Sequence, residues 1–197
     1  MLTTLLFLVA APVHAADDFG PVQIGSPAPA FSLPDLEGKT VSLDNHKGKV
    51  VVLEWFNPGC PFVKQAHGPE GGLRTMANDW SDKGVVWLAI NSGAPGKQGT
   101  GVDTNKKASE DWAMKHPVLL DESGTVGRSY AAKTTPQMVV IDPAGNQVYN
   151  GALDNAPFGK PKGGPLDAIT ERVLAAVTAG KPSPQAQSKP YGCSVKY

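Results

Sequence analysis

Four apolar runs set the rhythm of the chain: VVVLEWF within residues 49 to 56, VVWLAINS at 85 to 92, VLLD at 118 to 121 and QMVVID at 137 to 142. Each is short, rich in β-branched residues and bounded by Gly, Pro or polar positions, so each predicts a buried strand. The first is apolar on both faces except at Glu54, the pattern of a central strand covered by helices on either side. Ahead of it, FSL and TVSL alternate around the turn EGK and predict a short hairpin. Behind it a helix is interrupted at GPEGG, residues 68 to 72, and resumes over 73 to 80. Further helices are predicted at 105 to 115 and 126 to 132. PAGN is a turn, so QVYNGALDN forms a last hairpin strand. Leu166, Ile169, Val173 and Val177 lie at helical spacing and predict a helix over 165 to 179, ending at Gly180. Residues 181 to 197, rich in Pro and Ser, predict an extended tail. Strands alternating with helices and closed by an antiparallel hairpin describe a mixed α/β sandwich.

Composition narrows the picture. With 197 residues, 41% of them hydrophobic, the chain suits one core and one domain. Eighteen basic residues balance eighteen acidic ones, so no bulk charge draws nucleic acid or an anionic membrane. The opening MLTTLLFLVAAPVHA has an apolar stretch too short to span a bilayer, followed by the small-x-small pattern Val13-His14-Ala15. Residues 1 to 15 are therefore expected to be a signal peptide, without stable membrane insertion after cleavage; a core segment or a membrane anchor is the alternative. The expected layout is a domain over 16 to 180 and a tail over 181 to 197. Export places the chain outside the cytoplasm, periplasmic or secreted, where two cysteines can pair stably.

Candidate chemistry gathers at NPGCPFVKQAH, residues 57 to 67. Cys60 falls where strand gives way to helix, a position that favours a thiolate, and Lys64 one turn on adds positive charge. Alternatively Cys60 is buried and inert, and Lys64 a solvated helix residue. Val63 stands where a CxxC motif has its second thiol. A partner for Cys60 must come from Cys193, from another protein or from a small thiol. Cys193 lies in PYGCSVKY, where Tyr191 and Val195 have apolar surface to pack and Gly192 permits close backbone approach. An intramolecular Cys60–Cys193 disulfide is expected, either redox-active or permanently structural. His46, His67 and His116 fit no zinc spacing, and no CxxCH haem motif occurs. No metal and no cofactor are expected; His67 is read as a solvated helix-end residue, a copper site with Cys60 being the alternative.

GSPAPAFSLPDLEGKTVSLDNHKGKVVVLEWFNPGCP, NSG at 91 to 93, DESGTVGRSYAAKTTPQMVVID and YNGALDN together resemble the redoxin branch of the thioredoxin fold, which includes peroxiredoxins and exported thiol-disulfide proteins. The resemblance is strongest to a peroxiredoxin-like group with one active-site cysteine in CPFVK and a late GC-S-hydrophobic-K ending. It implies a thioredoxin-like central mixed β-sheet flanked by helices, with an N-terminal hairpin extension. It puts Glu54 in the place of a buried, proton-relaying acid, whose pKa burial would raise; an ion pair with a lysine is the alternative. It puts Thr135-Pro136 at the cis-proline that presents backbone to a substrate, against an ordinary trans proline opening a strand. Asn57, Pro61, Thr135 and Pro136 then surround the substrate. Where peroxiredoxins have Thr and Pro, this chain has Asn57 and Leu53, and the matching arginine is missing. Thiol-disulfide exchange with protein or small-molecule disulfides and thiols therefore ranks ahead of thiol-dependent peroxidase activity. A third reading is a non-catalytic metal- or partner-binding protein.

Overall fold

The computed structural model describes residues 23 to 197, so the expected signal peptide lies outside the described residues. Strands β1 (Ser32–Pro34) and β2 (Thr40–Ser42) pair antiparallel as the predicted hairpin. The chain then runs through β3 (Val51–Trp55), α1 (Pro61–His67), α2 (Leu73–Asp82), β4 (Val86–Asn91), α3 (Val102–Asp111), β5 (Val118–Leu120) and α4 (Thr125–Ser129). It continues through β6 (Thr134–Thr135), β7 (Gln137–Ile141), β8 (Gln147–Gly151), α5 (Ile169–Thr178) and β9 (Cys193–Ser194).

The main sheet has the order β5-β4-β3-β7-β8. β3, β4 and β5 are parallel, whereas β7 and β8 run antiparallel. Every residue of β3 and β7 is buried, as expected of strands covered on both faces. The strand period splits β3 between two cores: Val52 packs with Trp80, Trp87, Met138 and Val173, and Val51, Leu53 and Trp55 pack with Leu88, Ile90, Leu119 and Val139. Truncating Leu53 to Ala in such surroundings costs about 2–5 kcal/mol.

Two helices differ from expectation. The last begins at Ile169, and its buried stripe is Ile169, Val173, Leu174 and Val177; Leu166 stays outside it and is 61% exposed. The third spans 102 to 111 rather than 105 to 115, preceded by Gly101 at φ 92° and closed before Ala113, whose φ is 47°. The tail is not merely extended. Ala186 accepts a hydrogen bond from the Asn150 amide, Ser188 Oγ accepts one from the Ala152 amide, and β9 pairs with β6.

Candidate functional site

Cys60 is the N-cap of α1, in extended backbone, with Pro61 supplying the first helical residue. Pro is suited there because its missing N–H would have no helical partner. The Cys60 amide donates to the Asn57 carbonyl at 3.0 Å, and the Cys60 carbonyl accepts from the Lys64 amide at 2.9 Å. The sulfur is fully buried, and its thiol donates to the Thr135 carbonyl at 3.1 Å. Thr135-Pro136 is a cis peptide. The proline loop thus faces the cysteine across 75 positions of sequence.

The tail completes this arrangement. Cys193 pairs with Thr135 in antiparallel register, and the Val195 amide donates to the Lys133 carbonyl at 3.0 Å. Val195 is buried in the second core, and the Tyr191 hydroxyl donates to Asp154 Oδ1. Gly192 has φ 141°, and a Cβ there would overlap the Thr135 carbonyl oxygen. Only glycine allows this approach without displacement. Both cysteines are free thiols in this structure, and Cys193 comes close enough to hydrogen-bond the Cys60 sulfur.

Burial by itself would push the Cys60 pKa up, yet its net displacement is downward. Hydrogen bonds from the Cys193 thiol and the Thr135 hydroxyl, and from the Val63 and Cys193 amides, stabilise the thiolate and outweigh the burial. Cys193 moves the other way, up to about 11, through burial and the neighbouring Cys60. The two sulfurs therefore divide into a good leaving group and a poor one. Lys64 is exposed and is not among the groups that lower Cys60.

Glu54 is fully buried in mid-strand, but its partner is His67, not a lysine. His67 Nε2 lies 2.7 Å from Glu54 Oε1, and the Trp87 indole N–H donates to Oε2 at 3.0 Å. Burial pushes the Glu54 carboxyl upward, but the charge and hydrogen bond of His67, with help from His116 and Trp87, hold it below the usual carboxylate range. The expected rise is thus reversed: Glu54 is kept as a carboxylate. His67, read as solvated, has no exposed side-chain surface and stacks on Trp112 at 5.2 Å. It was missed as a site residue, although its spacing from Val63 and Ala66, both buried on the same helix face, carried the signal.

Asn57 is buried, and its amide is committed to the loop: Nδ2 donates to the Gln98 carbonyl at 3.0 Å and Oδ1 accepts from the Gly59 amide at 2.7 Å. It ties the turn before Cys60 to the segment at Gln98. Pro61 is exposed beside the buried Cys60. Among the expected site residues, then, Cys60, Cys193, Thr135 and Pro136 converge, and Glu54 joins His67 behind them.

The family model for AhpC/TSA proteins matches residues 24–149. The chain belongs to the AhpC/TSA family. It is 27% identical over 127 residues to the thiol-disulfide oxidoreductase ResA of Bacillus thuringiensis, covering 64% of this chain and 68% of that protein. A Coxiella burnetii protein assigned provisionally to the peroxiredoxins, bcp, is 31% identical over 113 residues, covering 55% of this chain and 66% of its own length. An uncharacterised conserved protein of Geobacillus kaustophilus has a similar solved structure, with TM-score 0.80 and 31% identity over 90% of this chain and 93% of that one. The thioredoxin domain of a thiol-disulfide oxidoreductase from Bacteroides vulgatus superposes with TM-score 0.54 and 28% identity, covering 66% of this chain and 89% of that domain. The fold is thioredoxin-like, as the sequence resemblance implied.

Proposed function

We infer that the chain is a redoxin-type thiol-disulfide oxidoreductase whose cycling pair is Cys60 and Cys193. The observation that carries this reading is the β6–β9 pairing, which sets Cys193 opposite Thr135 and against the Cys60 sulfur. The reduced Cys60 thiolate attacks one sulfur of a substrate disulfide, forming a mixed disulfide and releasing the other sulfur as a thiolate. Cys193, on losing its proton, then attacks Cys60 Sγ; the Cys60–Cys193 bond forms and the second substrate thiolate leaves. Two electrons pass from the cysteine pair to the substrate, and an external thiol returns them. Cys60 is covered while β9 is docked, so the first step requires the tail to lift, which the non-covalent contacts of the reduced chain permit. The Glu54–His67 pair, its carboxylate held ionised, is the proposed proton-handling group of the exchange.

Export to an oxidising compartment belongs to the same proposal and rests on residues 1 to 15. Peroxidase activity ranks lower, since the Asn57 side-chain amide is spent on the Gln98 carbonyl and the Gly59 amide. Non-reducing peptide mapping of the chain isolated in air is the direct test. A linked Cys60 and Cys193 peptide pair is expected; two free thiols, or dimers joined only between chains, would overturn the reading.

A further inference from the structure

The segment NAPFGKPKGGPLD, residues 155 to 167, takes no part in the exchange described above. Its turn at Pro157–Gly159 carries Phe158, whose backbone sits at φ 55° and ψ 35°, a left-handed conformation that a bulky residue seldom adopts. Phe158 is also 47% exposed. An aromatic ring that is both strained in its backbone and open to water is disfavoured twice over, and such features concentrate where a ligand is met. Phe158 packs on Phe62 with ring centroids 4.0 Å apart and planes tilted by 32°, and Phe62 lies 5.9 Å from Tyr191. Phe62 follows Cys60 by two residues, and Tyr191 precedes Cys193 by two. Phe62 and Cys193 also pack against the buried cluster that holds Cys60.

The same three rings line one cleft with Pro157, Lys160 and Lys162. Both lysines are exposed, and neither makes a salt bridge among the described residues. Oδ1 of the nearby Asp154 accepts from both the Tyr191 hydroxyl and the Ala156 amide, and Asp154 forms no salt bridge with either lysine. An apolar floor with two uncommitted cations at its rim is complementary to an apolar side chain flanked by carboxylates.

We propose that this cleft docks a redox-partner protein through a segment that seats an aromatic or aliphatic side chain on Phe158 and Phe62 and pairs its Asp or Glu residues with Lys160 and Lys162. The partner role rests on the reading of Cys60 and Cys193 as the cycling pair; the docking itself does not. A cysteine-free, fluorescein-labelled peptide with one Phe among Glu residues is titrated against the full chain at low salt, alongside a Phe-Lys and an Ala-Glu version. The Phe-Glu peptide is expected to bind about tenfold more tightly than either. Phe158→Gly keeps the left-handed turn while removing the ring, and Lys160→Glu with Lys162→Glu reverses the rim; each is expected to cancel that preference. Equal binding of the three peptides, or a preference that survives both variants, would overturn the docking site. In turnover assays the Phe-Glu peptide linked through a disulfide should be reduced about tenfold faster than its Lys counterpart, with the uncharged disulfide of 2-mercaptoethanol reduced equally by wild type and variants. Peptide binding without that rate difference would refute the redox-partner assignment alone, and failure to reduce either disulfide would refute the oxidoreductase reading.

Discussion

At the scale of single residues, the chemistry turns on three buried side chains, Glu54, His67 and His116. Replacing Glu54 by Gln keeps the shape and removes the charge facing His67. Disulfide turnover near pH 7 is expected to fall by about tenfold or more with an unchanged circular dichroism spectrum; a flat response across pH would make the pair structural. His116 lies within electrostatic reach of that pair. Burial lowers it to about 4 from the ordinary 6.5, with Glu54 opposing and His67 adding to the shift, and neither ring nitrogen has a hydrogen-bond partner among the described residues. The unfolded chain therefore binds this proton first as pH falls. Stability is full above 6.5, declines between 6.5 and about 4, and the loss from this group amounts to about 3 kcal/mol. The depressed Glu54 acts lower, its contribution being present above 4.5 and lost as pH falls through its folded value. Urea midpoints of wild type and His116→Gln at pH 7 and 4.5 separate the two, since the variant should lose less on acidification. Glu54 was legible as the one charge in an apolar run. Its partner was only half legible: Val63 and Ala66 mark the buried face on which His67 lies, but only the pairing of that face with the strand sets His67 on Glu54.

At the scale of elements, β9 is two residues long and depends on Gly192. Gly192→Ala is expected to push the tail off Thr135, costing about 1–3 kcal/mol, and to speed iodoacetamide labelling of Cys60 in the reduced chain. An unchanged rate would mean that the tail does not cover the sulfur in solution. The strands were readable because their apolar runs are dense and sharply bounded. The third helix was displaced because VDTNKKASED offers too little apolar periodicity to fix its ends, which are set instead by Gly101 and the left-handed Ala113. Leu166 misled in the opposite sense, matching the helical spacing of the last helix while lying outside it.

At the scale of the whole molecule, a bond between positions 60 and 193 would enclose every strand of the main sheet except the central β3 in one covalent loop. On the chain-entropy estimate, closing a loop of that length stabilises the fold by about 5 kcal/mol, an upper figure because the denatured chain is not random. The oxidised protein should therefore unfold at clearly higher urea than the reduced one; coincident transitions would place the disulfide elsewhere or nowhere. The general architecture could be read from the order of runs and turns. The docking of the tail could not, since it needs the exposed edge of β6, a two-residue strand that no periodicity announces. The Glu54–His67 pair is also bracketed by indoles, with Trp87 donating to the carboxylate and Trp112 lying flat against the imidazole. Two of the four tryptophans thus sit as optical probes on the groups proposed to handle the proton, and the chain's own emission can follow their charge state without a label. Trp87→Phe should silence the carboxylate signal and Trp112→Phe the imidazole signal.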